Sequence, residues 1–560
     1  MQRSCKQCGS AFEVTQDDFA FYDLVSPVFN GKKELIPPPT KCPECRDRLR
    51  YSFRNERHLY HRRCDLCLKD MISMIAPEKP FTVFCPDCFF SDRWNAESFA
   101  QTIDFSKPFF DQFAELKRAV PRLGIDVLNN QNSSYTNISI SNKDCYLVFA
   151  TVRSERCLHT RKVIESRETM DCSYSEKLEL CYECIDCYNG YNLLFSELCK
   201  DCSFSAFLFD CIGVQHCFLC SNLRNKRYCY LNQQLTKEQY EAKMQAMGNT
   251  VTLRKLQEQF RKLKLSSVHR ASQNFQVENC RGNYLMNCKN CSLCFDTHNS
   301  EDCTYCTEAV TGLKSSMDCS CVTMECERDF ESATCSEATN YSLFSVNCRS
   351  ANSALVYCDS VYSSHDLFGC IGLRHKQYCI LNRQYAAEEY QRNAAQLSQH
   401  MQHTGEWGFF FPHTLSPFAY NESMAQEFYP LERSAALALG YAWRDIPEKI
   451  PQVSRTIPAN RLSDSIQDIP DEILHWAITC EATGRPFKIV KQELMFYRQM
   501  CLPIPHLHPN ERHRRRMALR NPWKLWTRPC MKCGKQMETT YAPERPEIVY
   551  CENCYLKEVY

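Results

Sequence analysis

Short runs of aromatic and β-branched residues alternate with polar, cysteine-containing turns through the middle of the chain. The cysteines recur about every 9 to 16 residues, mostly after Asn, Asp or Glu. Typical stretches are NKDCYLVF, SELCKDCSFSAFLF and SVNCRSANSALVYC. Short strands at such even spacing predict an all-β repeat, most simply a β-solenoid in which one position per rung faces inward.

The middle of the chain is itself duplicated. MDCS occurs at 170 and again at 317, and LFDCIGVQH at 208 returns as LFGCIGLRH at 367. This pattern predicts two related solenoid halves, residues 130–232 and 271–383.

Helix-like patterns frame these halves. A connector at 95–129 is expected to be helical. A spacer at 233–270 should begin at an N-cap, Thr236, with a break near Gly248 and Asn249. Residues 384–470 should form a helix, then an irregular linker over the surface with a short helix around SAALALG.

A second repeat links the two ends of the chain. From Pro37 onward, residues 5–90 match residues 480–556 at a constant offset of 466, as in Cys64 and Cys530. Upstream the offset is 475, as in Cys5 and Cys480. The fold class expected is therefore mainly β with α segments, a central solenoid flanked by duplicated zinc-ribbon or treble-clef-like modules at 1–94 and 471–560.

The terminal modules carry pairs of cysteines in C-x2-C motifs. Tetrahedral Zn²⁺ in structural sites prefers four thiolates, which two such motifs supply. Seventeen residues separate Cys67 from Cys85, a spacing typical of zinc ribbons. Pairing of the first and second motifs with each other is expected, with crossed pairing as the alternative. The predicted ligands of about three zinc ions are Cys5, Cys8, Cys42, Cys45, Cys64, Cys67, Cys85, Cys88, Cys530, Cys533, Cys551 and Cys554.

The fourth site of this repeat is degenerate. Cys480 is retained, but Thr483, His508 and Glu511 stand where the first module has cysteines. Cys480, His508 and Glu511 could form a mixed metal site, although a hydrogen-bonded or packed replacement is favoured.

Both modules contain a basic segment between their cysteine pairs. Arginines in helical spacing, interleaved with aromatic residues, can bind phosphates and stack on bases. The pattern predicts contacts to RNA or DNA, with a solvated helix face or arginines paired to acidic groups of the same protein as alternatives. The candidate residues are Arg46, Arg48, Arg50, Arg54, Arg57, Arg62, Arg512, Arg514, Arg516, Arg520, Arg528, Trp523 and Trp526.

Composition limits the further chemistry. The chain has 560 residues, forty cysteines and a formal charge of +1, so nucleic-acid affinity would have to come from local patches. Neither a signal peptide nor an apolar stretch of 18 residues is present, so a cytoplasmic protein with metal-bound or packed thiols is expected. The solenoid cysteines are expected to be packed thiols. Iron–sulfur binding by the triplets starting at Cys181 and Cys288, or additional zinc, are alternatives.

Three stretches of the sequence are similar to those of a known protein family, and the similarity extends over most of the chain. They are LRNKRYCYLNQQLTKEQY, LFGCIGLRHKQYCILNRQY and LWTRPCMKCGKQMETTYAPERPEIVYCENCYLKEVY. The chain resembles a family of uncharacterised cysteine-rich, zinc-ribbon-containing proteins of candidate-phyla (Patescibacteria-type) bacteria. That resemblance implies a cytoplasmic protein of a small-genome bacterium and no particular activity.

No catalytic constellation is found, so the chain is not expected to be an enzyme. The function expected from the sequence is a zinc-binding scaffold for RNA or DNA, conceivably a ribosome or another ribonucleoprotein. The alternative is a protein-interaction or assembly scaffold that uses the solenoid face, with the zinc modules as end caps. Neither a membrane nor a small-molecule partner is indicated.

Overall fold

The computed structural model describes residues 1–244, 249–446 and 451–560. The chain forms two compact units, each built from segments that are distant in sequence. The first unit comprises Met1–Ile125, Ser272–Arg444 and Trp523–Leu525. The second comprises Asp126–Ala271, Asp445–Pro522 and Trp526–Tyr560. The N-terminal module therefore shares a unit with the second solenoid half, and most of the C-terminal module shares a unit with the first half.

The β-solenoid is confirmed, and its coils are unusually short. Parallel bridges join positions twelve residues apart, as in Gln131 to Lys143 and Lys143 to Glu155. Some coils of the second half have thirteen residues, as in Lys314 to Glu327. The chain turns a corner at every third residue through a left-handed backbone conformation. Each coil is therefore four-sided, with three residues to a side.

The corners explain the polar residue before many cysteines. Asp144 (φ 53°) and Asp201 (φ 54°) occupy corners, and each immediately precedes an inward-facing cysteine. Asn and Asp tolerate the left-handed conformation better than most residues. Their side chains also bond from coil to coil, as in Asn189 Nδ2 to Asp201 Oδ1 at 2.8 Å. The corner positions thus contribute to the register of the stack.

The interior is formed by the residue that follows each corner. There are four inward positions per coil, not one per rung as the sequence pattern suggested, because every side of the coil contributes one. The lumen is narrow, so Cys, Ser, Thr and other compact side chains fill much of it. The Cys184 thiol donates to the carbonyl oxygens of Tyr182 (3.5 Å) and Leu193 (3.2 Å). A cysteine here therefore fills a small volume and also bonds to the backbone.

Strand segments lie along the sides of the coils. In the first half they are Val127–Leu128, Ser139–Ile140, Arg161–Ile164, Ser173–Glu176, Tyr191–Leu194, Ser203–Phe209, Gln215–Ser221 and Arg227–Tyr230. In the second half they are Arg281–Asn283, Ser292–Phe295, Met317–Ser320, Phe330–Ala333, Asn340–Leu343, Ser353–Val356, His365–Phe368 and Gln377–Ile380.

Each half ends in an antiparallel turn followed by helix. The last strands pair with Gln233–Gln234 and Arg383–Gln384. The helices are Lys237–Lys243 and Thr250–Ser266 after the first half, and Ala387–Thr404 after the second. Thr236 is the N-cap of its helix, since its hydroxyl accepts from Gln239 N at 3.2 Å. Of the expected break, Gly248 lies outside the described residues, and Asn249 caps the following helix.

The terminal modules consist of short hairpins and helices. The helices of the first unit before residue 125 are Gln16–Val25, Pro43–Tyr51, Pro86–Phe89 and Phe109–Ala119, with the 3-10 turn Ala96–Phe99. Its paired strands are Gln2–Ser4 with Ala11–Glu13, Val28–Phe29 with Lys32–Lys33, Tyr60–Arg63 with Asp70–Ser73, and Val83–Phe84 with Arg122–Leu123.

The second unit repeats much of this arrangement. Its helices after residue 450 are Lys491–Gln499, Pro509–Met517 and Glu552–Val559, with 3-10 turns Ala459–Arg461, Ile466–Asp468 and Asp471–His475. Its paired strands are Arg455–Pro458 with Trp476–Thr479, Trp476–Thr479 with Pro486–Phe487, Trp526–Pro529 with Gln536–Thr539, and Val268–Arg270 with Ile548–Tyr550.

The first part of the segment after residue 404 is buried, whereas an irregular linker over the surface was expected. Phe411 is fully buried in the first unit and stacks on Phe113, with ring centroids 4.8 Å apart. Its aromatic residues fill the core between the N-terminal module and the solenoid coils, which explains why WGFFFP is so apolar. Short helical segments follow at His413–Leu415, Tyr420–Glu422, Ala425–Phe428 and Arg433–Ala438, the last being the helix expected around SAALALG. Residues 447–450 of the linker lie outside the described residues.

Candidate metal centres

Three groups of four cysteines bring their thiols together at the positions that the C-x2-C spacing predicted. Within each group all four Sγ atoms lie within 4.8 Å of one another. The first module pairs its first motif with its second and its third with its fourth, so crossed pairing does not occur. The groups are Cys5, Cys8, Cys42 and Cys45; Cys64, Cys67, Cys85 and Cys88; and Cys530, Cys533, Cys551 and Cys554.

The sulfur separations fit a tetrahedral metal. Sγ–Sγ distances are 3.7 Å for Cys8 and Cys42, 3.9 Å for Cys67 and Cys85, and 3.8 Å for Cys533 and Cys551. A Zn–S bond of about 2.3 Å in a tetrahedron places sulfurs about 3.8 Å apart. Four protein thiolates complete such a site and leave no position for water or substrate. The three groups could hold metal ions in sites of the structural type, and zinc fits them.

The local backbone positions the cysteine thiols and surrounds them with peptide N–H groups. Gly9 and Gly534 adopt positive φ after the first cysteine pair, and each N–H donates to the carbonyl of Cys5 or Cys530 at 2.9 Å. The second pair begins at the N-cap of a helix, as Cys85 does for Pro86–Phe89. Helix N-termini and peptide N–H groups stabilise thiolates. The same turn therefore recurs in every site.

The pKa values of the first cysteines reflect these bonds. Burial raises the pKa of Cys64, but N–H groups of Cys67, Cys85 and Leu66 outweigh it and lower the pKa to about 6. The pKa of Cys530 falls to about 6 for the same reasons. A thiolate is therefore favoured at the first cysteine of each group, whereas burial and neighbouring thiols raise the pKa of Cys88 to about 12.

The fourth, degenerate site keeps the turn but does not assemble ligands. Cys480 N–H donates to Arg485 O and Gly484 N–H to Cys480 O, both at 2.9 Å, as in an intact site. The Glu511 carboxylate instead accepts from Arg514 and Arg515 at 2.8 Å. Among the described residues, Cys480, His508 and Glu511 are not among the groups whose ligand atoms converge. The Cys480 thiol instead receives hydrogen bonds from the turn, including one from the side chain of Thr483.

The solenoid cysteines do not form clusters within the described part of the chain. Three consecutive cysteines such as Cys181, Cys184 and Cys187 lie on successive sides of one coil. Each thiol donates to backbone carbonyls of its own and the next coil. The three groups described above are the only described ones with three or more convergent ligand atoms. The arrangement fits packed thiols, and no set of three described thiols converges there as an iron–sulfur or additional zinc site would require.

The arginines of the first basic segment face the solenoid. Arg46 and Arg50 are buried against Asp318 and Glu331 of the second half, with Arg46 Nη2 2.8 Å from Asp318 Oδ2. Arg50 Nη1 lies 2.8 Å from Glu331 Oε2. Arg54 donates to Thr334 Oγ1 at 3.3 Å and pairs with Glu56 at 2.7 Å.

The second basic segment makes equivalent contacts in the second unit. Arg512 and Arg516 both pair with Asp171, and Arg516 Nη1 also lies 3.5 Å from Glu183 Oε1. Arg520 Nε lies 3.1 Å from Asp186 Oδ2. The aromatic contacts match as well, since Tyr22 packs on Phe330 and Tyr497 on Tyr182.

These placements correct the expected orientation of six arginines. Arg46, Arg50, Arg54, Arg512, Arg516 and Arg520 present their guanidinium groups to the protein interior, not to solvent. Buried carboxylates on the solenoid attract them, and one bidentate pair satisfies several donors at once. The alternative that the arginines pair with acidic groups of the same protein is the one observed.

The remaining candidates have varied surroundings. Arg62 pairs with Asp65 at 3.1 Å, and Arg528 is buried and donates to Ala542 O at 3.3 Å. Trp523 stacks on Phe428 at 4.1 Å and donates to Asp296 at 2.8 Å. Arg514 is exposed beside Glu511. Arg48, Arg57 and Trp526 are partly buried.

Sequence reasoning missed Asp171 and Asp318. Both belong to the duplicated MDCS motif, which was noticed only as a mark of the inner repeat. The two repeats together could have indicated these ion pairs, because the arginines recur in both modules and the aspartates recur in both solenoid halves. Pairing them requires knowing which module contacts which half.

No family model matches the sequence, and no curated protein is significantly similar to it. The family resemblance drawn from the sequence motifs stays a prediction. No helix in the described ranges is both long enough and apolar enough to span a bilayer.

Proposed function

We propose that this protein is a non-enzymatic, metal-stabilised assembly scaffold that binds protein partners along an exposed flank of its first solenoid half. One observation carries the proposal. Four aromatic side chains, Tyr191, Phe204, His216 and Tyr228, form a ladder on successive coils. Tyr191 and Phe204 are 39% and 46% exposed. Exposed aromatic residues grouped on a rigid surface are typical of protein-interaction sites.

The geometry of the ladder favours protein over nucleic acid. The Phe204 and His216 rings stack at 5.1 Å with an angle of 4° between their planes, and His216 stacks on Tyr228 at 5.3 Å. The faces between these three rings are therefore covered by one another, whereas bases need an accessible face. Tyr191 lies at 70° to Phe204 and is not part of the stack. Ring edges remain, and these can pack against side chains of a partner.

The zinc modules have a structural role in this proposal. Their arginines pair with the solenoid, and their metal sites offer no open coordination position. They would fix hairpins and loops that have little core of their own, so metal binding would stabilise the scaffold.

Binding of RNA or DNA, a ribosome included, is the alternative. It would have to use exposed cations such as Arg63, Arg514 and Arg515, since the buried arginines are occupied by carboxylates. Binding of nucleic acid should weaken as salt concentration rises, whereas binding of a protein partner should weaken when a ring of the ladder is removed.

The experiment compares wild-type protein with Phe204→Ala and with Met495→Ala as a matched control, an exposed apolar residue of the same unit. Each is used to capture partners from nuclease-treated lysate, with quantification by mass spectrometry. Partners retained by wild type and Met495→Ala but lost with Phe204→Ala support the proposal. Identical recovery by all three, or co-purified RNA with salt-dependent affinity that Phe204→Ala does not change, would refute it.

A further inference from the structure

A polar cavity of about 520 Å³ lies within the second unit beside the degenerate metal site. One wall is the solenoid, at Tyr182 and Glu183. A second is the helix Thr250–Ser266, at Leu253 and Arg254. The third is the degenerate knuckle and the segment up to Arg515. Its volume is in the range of small-molecule sites in proteins, about 300–1,000 Å³.

The first unit has the same cavity in a smaller form. It occupies about 290 Å³ at the equivalent place and is lined by Pro37, Arg46 and Glu331, which correspond to Pro503, Arg512 and Glu183. There the segment from Gly405 to Pro412 forms part of the wall. A recess between module and solenoid is therefore a feature of the duplicated unit, and only its size and lining have diverged.

Divergence has changed the charged groups on the walls of the larger cavity. Arg515 replaces Leu49 and His506 replaces Thr40 among the lining residues, while Leu507 replaces Lys41 and Glu481 is added. The helix Thr250–Ser266 adds Arg254 to the wall, and the smaller cavity has no residue at an equivalent position. The changes coincide with the loss of the metal site, whose knuckle residues Glu481 and Ala482 line the cavity.

Arg254 and Arg515 each have guanidinium N–H groups that are not used in hydrogen bonds within the described part of the chain. Arg254 Nη2 donates to Glu481 Oε2 at 2.6 Å and lies 3.0 Å from His506 Nδ1, which itself lies 3.1 Å from the same Glu481 oxygen. Arg515 Nε donates to Glu511 Oε1 at 2.8 Å. Their other guanidinium N–H groups make no hydrogen bond to the described residues. Each side chain is more than half exposed, at 53% and 54%. The two adjacent Nη groups of Arg515 are unused and suit a bidentate contact to an anion, whereas Arg254, whose Nη2 is engaged, retains Nε–H and Nη1–H donors for single contacts.

One residue that lines the cavity has a buried polar atom without a hydrogen-bond partner among the described residues. Arg512 is 3% exposed and lines the cavity, and its Nε makes no hydrogen bond within the described residues. Such a donor is costly unless water or a ligand satisfies it. Burial also raises the pKa of Glu183 to about 7, against the lowering by Arg516, which reduces the negative charge on the wall near neutral pH.

We propose that this cavity binds a small organic anion, a carboxylate or a phosphate attached to a compact apolar body. Arg254 and Arg515 would bind the anionic group, while Tyr182, Phe195 and Leu253 would contact the apolar part. The site is independent of the aromatic ladder and of the three metal centres.

The experiment uses the metal-loaded full chain and isothermal titration calorimetry with phenyl phosphate and phenylacetate as probes, and benzyl alcohol as the uncharged comparison. Arg254→Gln and Arg515→Gln are each expected to weaken binding at least about tenfold, which is what the loss of about 1.4 kcal/mol of charge-assisted bonding gives. Arg514→Gln is the matched control, because Arg514 binds the same Glu511 carboxylate but does not line the cavity.

A preference for phenyl phosphate would identify a phosphate site, and a preference for phenylacetate a carboxylate site. Leu253→Trp, which narrows the cavity without changing charge, should abolish binding while metal content and the unfolding midpoint stay close to wild type. Equal affinity in Arg514→Gln and Arg515→Gln, equal binding of benzyl alcohol, or no saturable binding of either anion up to about 10 mM (weaker than about 3 kcal/mol) would overturn the proposal.

Discussion

The guanidinium of Arg46 and the carboxylate of Asp318 form a buried bidentate ion pair, with Nε 2.9 Å from Oδ1 and Nη2 2.8 Å from Oδ2. The two residues are 272 positions apart in sequence. The pair joins the N-terminal module to the second solenoid half, and Arg512 with Asp171 joins the equivalent elements of the second unit. The duplicated entity is thus a module together with the solenoid coils it contacts.

Asp318→Asn should strongly destabilise the first unit. The substitution leaves Arg46 and Arg50 buried beside a neutral amide, and removal of one partner of a buried ion pair costs about 3–5 kcal/mol. Urea unfolding followed by circular dichroism measures the loss. Glu258→Gln is the control, because Glu258 forms an exposed pair with Arg261 that solvent screens. Equal stability of the two variants would contradict a structural role for the ion pair.

Asp171→Asn should have the same effect in the second unit, through Arg512 and Arg516. Because the two units are built alike, Asp318→Asn should lower the free energy of unfolding of the first unit, and Asp171→Asn that of the second. Hydrogen exchange would locate the loss, in peptides from 126–271 and 445–522 for Asp171→Asn. Exchange that increases only at residue 171 and its neighbours would argue against this interface.

Metal content should be three ions per chain. Four thiolates hold each ion, so Cys88→Ser and Cys554→Ser should each reduce the count to two in native mass spectrometry. Cys480→Ser is the control, because Cys480 belongs to the degenerate site and should leave the count unchanged. A lower count in Cys480→Ser would show that a fourth ion binds there.

The interior cysteines should tolerate serine better than leucine. Cys184→Ser keeps a donor for the carbonyls of Tyr182 and Leu193, whereas leucine removes the donor and is larger than the fully buried side chain that it replaces. Overpacking of this kind costs about 1–3 kcal/mol. Thermal unfolding measures the difference, with metal content as the control. Loss of metal from Cys184→Ser would indicate that the solenoid thiols are ligands after all.

Glu493 should make the second unit sensitive to acid. Burial raises its pKa, but His159 and Arg512 outweigh this and lower the pKa from 4.5 to about 2. A carboxyl with a depressed pKa contributes stability that is present above its unfolded value, near 4.5, and lost as pH falls towards 2. Urea unfolding at several pH values between 6 and 3 (about one to two pH units either side of 4.5) measures the slope.

Glu493→Gln should flatten that dependence relative to wild type, and the comparison cancels the effect of metal release in acid. The equivalent residue of the first unit, Asp18, behaves oppositely because burial raises its pKa. Asp18→Asn should therefore not flatten the slope. An identical slope in wild type and Glu493→Gln would contradict the prediction.

The sequence by itself determined the elements whose signals are local. A C-x2-C motif contains both its cysteines and the turn that orients them, so the pairs ending at Cys67 and Cys88 predicted correctly which cysteines converge. The regular recurrence of cysteine after Asn or Asp predicted the solenoid, because each short segment repeats the same corner. The three-residue side was not predicted, since Ser, Thr, Val and Leu also occupy inward positions and conceal the shorter period.

Only the tertiary structure decided which way the arginines face. Arg50 has the sequence surroundings of an exposed phosphate-binding residue, yet Asp318 and Glu331 bury it from a position some 270 residues away. Helical spacing fixes which side chains share a face, but burial depends on the surface that packs against that face. The same reason applies to Arg512 and to the cavity beside it, whose walls come from three separate segments of the chain.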